Sequence, residues 1–221
     1  MEINKAFITI GLATALLQMP VAADAQHAGS ACCDHGNKTC QQNPLLQKST
    51  LPFGAPDFSR IKETDYLPAI EAAVKQQREN IQKIVDNKAK PTFANTILAY
   101  ENSGVLLENV SNVFFGLCSA HKTPVIADTE KKVTPLLTDL DNEISFNQKL
   151  FERIKYVYDH EYKSLTGEDQ RLTEVIYKGF VRSGAMLPAD KMQRMKQINS
   201  RISDLQQQWG NLLPEATNNA V

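Results

Sequence analysis

Apolar residues along this chain recur at spacings of three and four rather than in alternation, the period of the α-helix. Leu67, Ile70, Val74, Ile81, Ile84 and Val85 form a first apolar stripe. Thr64 and Asp65 bring capping chemistry ahead of it, Pro68 fits a first turn, and Asn87 and Pro91 close it. A second helix is predicted from Thr92 or Phe93 to about Ser119, with Ile97, Tyr100, Leu107, Val110, Phe114 and Leu117 on one side. Gly104 inside that span costs a helix about 1 kcal/mol relative to alanine, which points to a close helix crossing. Thr123-Pro124 opens a third helix through about Ile144, and Pro135 within it is expected to kink or divide it. Asn147 caps a fourth, with Leu150, Ile154, Val157 and Tyr158 on one face. Thr166, followed by Glu168 and Asp169, starts a fifth that reaches Gly184. Pro188 begins a sixth, whose Met195, Ile198, Ile202, Leu205, Trp209 and Leu212 make a heptad seam; Pro214 is expected to end it. No strand-like alternation competes, so the fold class is all-α, an antiparallel helical bundle joined by short turns.

Ahead of the helices the pattern changes twice. Lys5, the apolar stretch Ala6 to Leu17 and then Ala23-Asp24-Ala25 follow the order of a secretory signal, so residues 1–25 are expected to be removed after Ala25 and the product exported to the periplasm. Residues 26–42 are small, polar and aperiodic, as in a flexible tether. Asn43 to Arg60 holds Pro44, Pro52 and Pro56 among spaced apolar residues; this strip should be ordered by lying across other elements.

Composition narrows the function classes. The 221 residues carry 24 basic and 25 acidic side chains, a net charge of -1, which gives no basic face for nucleic acid. Beyond the N-terminus nothing is long and apolar enough to span a membrane. Export is permissive for disulfides. Four cysteines, Cys32, Cys33, Cys40 and Cys118, admit three full pairings; Cys118 lies in an apolar helical run and reads as a buried free thiol.

The candidate chemistry is incomplete at each place it occurs. His160-Glu161-Tyr162-Lys163-Ser164 has the start of a zinc peptidase helix, but Ser164 stands where a second histidine is needed to hold the metal. Cys32, Cys33, His35 and Cys40, with His27 upstream, are soft-metal ligand types at spacings unlike those of structural zinc sites. Cys118 and His121 suggest a nucleophile and base, without a carboxylate to orient the base. Asp139, Asp141 and Glu143 gather at a helix end but lack the ligand ladder of a calcium loop. No residue is therefore assigned a catalytic, cofactor-binding or metal-ligating role.

Several strings carry a family resemblance when read in order. Leu51-Pro52-Phe53-Gly54-Ala55-Pro56-Asp57-Phe58 precedes Asp65-Tyr66-Leu67-Pro68-Ala69-Ile70-Glu71. Pro91-Thr92-Phe93-Ala94-Asn95-Thr96-Ile97 and Glu101-Asn102-Ser103-Gly104 follow. Leu150-Phe151, Phe180-Val181-Arg182-Ser183-Gly184-Ala185 and Gln208-Trp209-Gly210-Asn211 complete the series. From Asn43 onward the chain resembles the N-terminal region of the thimet-oligopeptidase-like zinc metallopeptidases, in their peptidyl-dipeptidase (Dcp) branch. The resemblance implies a helical enzyme with a narrow channel, one zinc ion and short peptides as substrates, with the N-terminal helices forming channel wall. It implies that residues 43–221 stop before the H-E-x-x-H helix and the downstream glutamate ligand. The chain's partner would be the missing C-terminal catalytic region, and it should be inactive alone. The alternative is a stand-alone helical periplasmic binding or interaction module without catalysis.

Overall fold

The chain from Tyr66 onward folds as a succession of helices because its apolar period is helical almost throughout. The structure, a computed structural model, describes residues 43–219, and no strand occurs among them. The helices are α1 (Tyr66–Asp86), the single turn α2 (Ala99–Glu101), α3 (Val105–Ala120), α4 (Pro124–Ser145), α5 (Gln148–His160), α6 (Gly167–Ser183) and α7 (Ala189–Asn219). Residues 1–25 and 26–42, expected from the sequence to be a signal and a tether, lie outside the described residues.

Helix α1 is the hub. Its Tyr66, Ala69, Ile70, Ala73, Val74, Ile81 and Ile84 are buried, and it packs against α3, α4 and α5. The buried face is rotated from the expected stripe, since Leu67 and Val85 are only partly covered. Tyr66, which sequence reasoning left out, is almost completely buried with its ring 5.5 Å from that of Phe114. Asp65 caps the short turn Glu63–Asp65 by accepting from the Lys62 N–H at 2.8 Å, and makes no side-chain cap on α1 itself.

The second predicted helix is interrupted. It begins at Phe93 under a Thr92 cap, as expected, but runs as a π-helical stretch Phe93–Leu98, the α2 turn and a 3-10 turn Asn102–Gly104 before α3. Side chains compete with the helical ladder at the break: the Asn102 amide donates to the Leu98 carbonyl at 2.9 Å, and the Ser103 hydroxyl to the Tyr100 carbonyl at 2.6 Å. Gly104 does sit at a close approach, to α1: a Cβ there would meet Gln77 Nε2 at 2.7 Å.

Two prolines end nothing. Pro135 lies inside an undivided α4, and α7 continues through Pro214 to Asn219. Each proline frees the carbonyl four residues earlier, on Lys131 and Gly210, and both of those residues are exposed, so water can satisfy what the helix loses. The other boundaries follow capping. Thr123 accepts from the Ile126 N–H at 3.2 Å and Asn147 from the Leu150 N–H at 3.0 Å. Gly184 ends α6 with φ 97, and the Ala185 N–H reaches back to the Phe180 carbonyl at 3.0 Å, closing a Schellman turn.

The proline strip packs on the core at its start, and its later part is held by local turns. Asn43 is buried and its amide donates to the Asp65 carbonyl at 2.8 Å, while Leu45, Leu46 and Ile61 pack on the core. Leu51, Phe53 and Phe58 are exposed, and Phe53 adopts a left-handed φ of 61 beside Gly54 at 68.

Candidate functional site

The densest polar arrangement joins the segment Asn87–Ile97 to α5. Arg153, on α5, turns its guanidinium toward that segment: Nη1 donates to the Asn87 carbonyl at 2.7 Å and the Ala89 carbonyl at 3.3 Å. Nη2 donates to Asn95 Oδ1 at 3.2 Å and Thr96 Oγ1 at 3.4 Å. Asn95 is itself held by a reciprocal capping box with Thr92 and donates to the Lys90 carbonyl at 2.9 Å. The Phe93 N–H, an unsatisfied donor at the start of its helical stretch, finds Glu161 Oε2 at 2.8 Å. All of the acceptors named for Arg153 are neutral, and desolvation lowers its pKa. The planar fork spans four acceptors that a single-point lysine could not reach together. Beside it lies a shallow cavity of about 320 Å³ lined by Val85, Pro91, Lys149, Glu152, Arg153 and Tyr156, with the Lys90 ammonium 5.7 Å from the centre of the Tyr156 ring.

The histidine candidates do not converge. His160 ends α5, stacks on Tyr156 at 4.0 Å between ring centres, and has Nδ1 2.8 Å from the Tyr156 carbonyl. Glu161 is already engaged by Phe93, and Ser164 lies beyond the helix end, donating to the Glu161 carbonyl at 2.7 Å. Even a histidine at that position would therefore leave the helical face that a zinc motif needs. His121 is the exposed C-cap of α3. Cys118 is half-buried rather than fully buried, and forms no disulfide among the described residues. Burial first, and then the Glu130 charge, push its thiol up to about 11, the opposite of an activated nucleophile. Glu143 is taken by Arg78 in a two-point pair, at 2.6 and 2.9 Å, that links α1 to α4, while Asp139 and Asp141 are exposed. Cys32, Cys33, His35, Cys40 and His27 lie outside the described residues.

Among the described residues no group of three or more His, Cys, Asp or Glu side chains is placed to hold a metal ion. They therefore do not fit the zinc that the resemblance implies, and no catalytic step is derived from them. Among the same residues no helix is long and apolar enough to cross a membrane.

Sequence reasoning missed the Arg153 cluster. Its only local signal was the pairing of Thr92 with Asn95, since Arg153 lies nearly sixty residues from its amide and hydroxyl partners, at separations of 58 and 57. The apolar seam of α7 is not the side of that helix that the rest of the described residues cover. The α7 helix lies on α4 through polar groups, Asn199 Nδ2 donating to Asn142 Oδ1 at 2.7 Å and Ser203 sharing a 2.8 Å hydrogen bond with Thr138. Ile198, Ile202, Leu205, Trp209 and Leu212 are left exposed.

No family model matches the chain. Individual proteins do. A dipeptidyl carboxypeptidase of Salmonella typhimurium is 38% identical over 176 residues, 79% of this chain and 26% of that protein. The dipeptidyl carboxypeptidase of Escherichia coli is 37% identical over 77% of this chain and 25% of its own length. Oligopeptidase A of Escherichia coli is 27% identical over 79% of this chain. The chain thus spans about a quarter of the length of the curated relatives it matches. The chain is a homologue of the thimet-like oligopeptidases and resembles, over most of its length, a segment of their dipeptidyl carboxypeptidase branch.

Proposed function

We propose that this chain is a noncatalytic channel-wall segment of an exported, zinc-dependent peptidyl-dipeptidase or oligopeptidase acting on short peptides. The metal and the H-E-x-x-H helix are supplied in this reading by polypeptide outside these residues. The observation that carries the proposal is the use made of Pro91–Ile97, the string most specific to the family. Its polar atoms are engaged by Arg153 and Glu161 in holding helices together, so the part of the sequence that most resembles a peptidase does architectural work. Export enters as part of the same proposal, on the order of Lys5, Ala6 to Leu17 and Ala23-Asp24-Ala25.

The test is a peptide-hydrolysis assay of the purified chain on dipeptide-releasing substrates, with zinc, cobalt and manganese each added. No turnover is expected under any metal. Turnover abolished by a chelator and by His160→Ala would overturn the noncatalytic reading. N-terminal sequencing of material recovered from the periplasm should begin at Gln26; an intact Met1 would remove export from the proposal. The uncovered apolar side of α7 favours a second reading, an interaction module that associates through that helix.

A further inference from the structure

Helix α7 meets the bundle through a polar stripe. Lys196, Asn199, Ser203 and Gln207 follow one another at three, four and four residues, so they share one face. The Lys196 ammonium lies 5.6 Å from the centre of the Phe146 ring, and Asn199 Nδ2 donates to Asn142 Oδ1 at 2.7 Å. The Ser203 and Thr138 hydroxyls are 2.8 Å apart. Thr138 already donates its one hydroxyl proton to the Thr134 carbonyl at 3.0 Å, so Ser203 is the donor to Thr138. Phe146, Asn142 and Thr138 descend the chain as their α7 partners ascend it, which makes α4 and α7 antiparallel. Met195, Ile198 and Ile202 each stand one residue before a member of the polar stripe, about 100° round the same helix. Apolar burial is the dominant favourable term in packing, so a turn of α7 by one residue would set isoleucines against α4. Something on α4 selects the other face.

Asn142 is the residue placed to do so. It lies buried on α4, where an amide facing isoleucine would lose its water and gain no hydrogen bond in return. Facing Asn199, the same amide is paired. Gln207 shows that the polar face is not chosen at every step for its own benefit. Its Nε2 is enclosed without a hydrogen-bond partner among the described residues, a loss that the helix accepts one turn beyond Ser203. The setting is therefore imposed from the Asn199 and Ser203 layers and carried to Gln207 by the rigid helix. A buried asparagine pair between helices can act in this way, excluding alternative arrangements at a cost in stability.

We propose that the Asn142–Asn199 pair is a rotational lock, which holds α7 on α4 in one setting about its own axis and keeps Ile198 and Ile202 from turning onto α4. The proposal goes beyond the channel-wall reading and does not depend on it. It concerns the covered side of α7, whose contacts are made within the described residues. Asn142→Leu removes the amide that refuses an isoleucine, so the lock should open from the α4 side. Asn142→Leu combined with Asn199→Leu replaces the pair by a leucine layer, which keeps α7 packed on α4 while removing the choice between faces.

Disulfide trapping in the full chain reads the setting directly, with Cys32, Cys33, Cys40 and Cys118 replaced by serine. Thr138→Cys with Ser203→Cys reports the observed setting, and Thr138→Cys with Ile202→Cys reports α7 turned by one residue. Both reporters remove the hydroxyl contact and leave the asparagine pair to act. In a glutathione buffer the 138–203 bridge should form in at least about tenfold higher yield than the 138–202 bridge, the factor that one unsatisfied buried amide implies. Asn142→Leu should reverse that preference or bring the two yields together, and the double leucine variant should give both bridges in comparable yield. Mass spectrometry maps each bridge, and circular dichroism checks that the chains are folded. A 138–203 bridge that keeps its advantage in both leucine variants overturns the proposal and places the setting in the connection between α6 and α7. Loss of both bridges in both variants overturns it too, since the asparagine pair would then hold α7 in place without choosing its face.

Discussion

Helices α1 and α7 carry apolar stripes of the same period and have opposite fates. In α1 the stripe is enclosed: Ile70 and Val74 are buried under α3, α4 and α5, and Tyr66 closes the end of the stripe against Phe114. In α7 the stripe faces water, and a polar side makes the contact with α4. The difference teaches that periodicity identifies which residues share a face and leaves open what covers it. Cover depends on how many neighbours the topology brings, and among the described residues α1 has several where α7 rests chiefly on one.

The largest effect that should separate the two helices is truncation of equivalent isoleucines. Ile70→Ala, in a fully enclosed position, is expected to cost about 2–5 kcal/mol, because a cavity is added to the lost transfer energy. Ile202→Ala should cost less than about 1 kcal/mol at concentrations where the chain is monomeric, since its side chain is already partly hydrated. Urea unfolding of both at low protein concentration measures the contrast. Equal losses would mean that the α7 seam is enclosed, and the comparison would fail.

The next effect concerns what holds the enclosed half together. Arg153→Gln removes a fork that ties four acceptors between Asn87 and Thr96 to α5. Hydrogen bonds to charged groups contribute about 1.5–3 kcal/mol each, but relief of the desolvated charge offsets part of the loss, so about 2–3 kcal/mol is expected overall. Arg153→Lys should recover little of it, because one ammonium cannot span the same acceptors. Full recovery by lysine would show that charge alone matters there. The same urea titration reads both variants.

Much of the fold was legible locally. Thr92, Thr123 and Asn147 announced helix starts through short-range capping, and Gly184 announced a helix end through the left-handed backbone it permits. The break at Asn102–Gly104 was less legible, because it arises from Asn102 and Ser103 bonding to nearby carbonyls within an otherwise good helical pattern. Pro135 read as a kink or division and Pro214 as a terminator because the sequence alone does not show that the carbonyls they free can be hydrated. The Arg153 cluster and the polar α4–α7 contact were not legible at all, since their partners are brought together only by tertiary packing.

A smaller loss is expected where backbone rather than packing sets the constraint. Gly184→Ala places a side chain at φ 97, and its Cβ would meet Leu187 Cδ1 at 2.7 Å. About 1–2 kcal/mol should be lost, since an L-residue is strained in that region wherever Leu187 moves. Thermal melting checks it, and an unchanged midpoint would contradict the Schellman geometry at the end of α6.

Alkaline pH should probe the central helices. Burial raises the Cys118 thiol to about 11 and the Tyr100 phenol to about 12, each above its ordinary value of 9.0 or 10.0. The folded state therefore keeps protons that the unfolded state releases, so this contribution is complete below about pH 9 and is lost as pH rises through 11 and 12. Stability measured by urea should begin to fall above about pH 9, and Cys118→Ser should reduce the slope between about 9 and 11. A flat profile across that range would place both groups in water.

The smallest expected effect is at Gly104, and its smallness is informative. A Cβ there would come within 2.7 Å of Gln77 Nε2, as short as the contact predicted for Gly184. The two positions differ in what can yield. Gly104 has φ -106, which any residue adopts, and its obstacle is the amide end of a long side chain that can swing toward solvent. The substitution also reduces the freedom of the unfolded chain, which stabilises by about 0.4–1 kcal/mol where the native backbone is permissive. The displacement of Gln77 and the entropic gain oppose each other, so Gly104→Ala should change stability by less than about 1 kcal/mol in either direction. Gly104→Leu cannot be accommodated by Gln77 alone and should push on α1 itself, costing about 1–3 kcal/mol through overpacking. Parallel urea titrations of the alanine and leucine variants test the argument. If alanine already costs as much as leucine, the approach to α1 is set by backbone, and the freedom assigned to Gln77 is wrong.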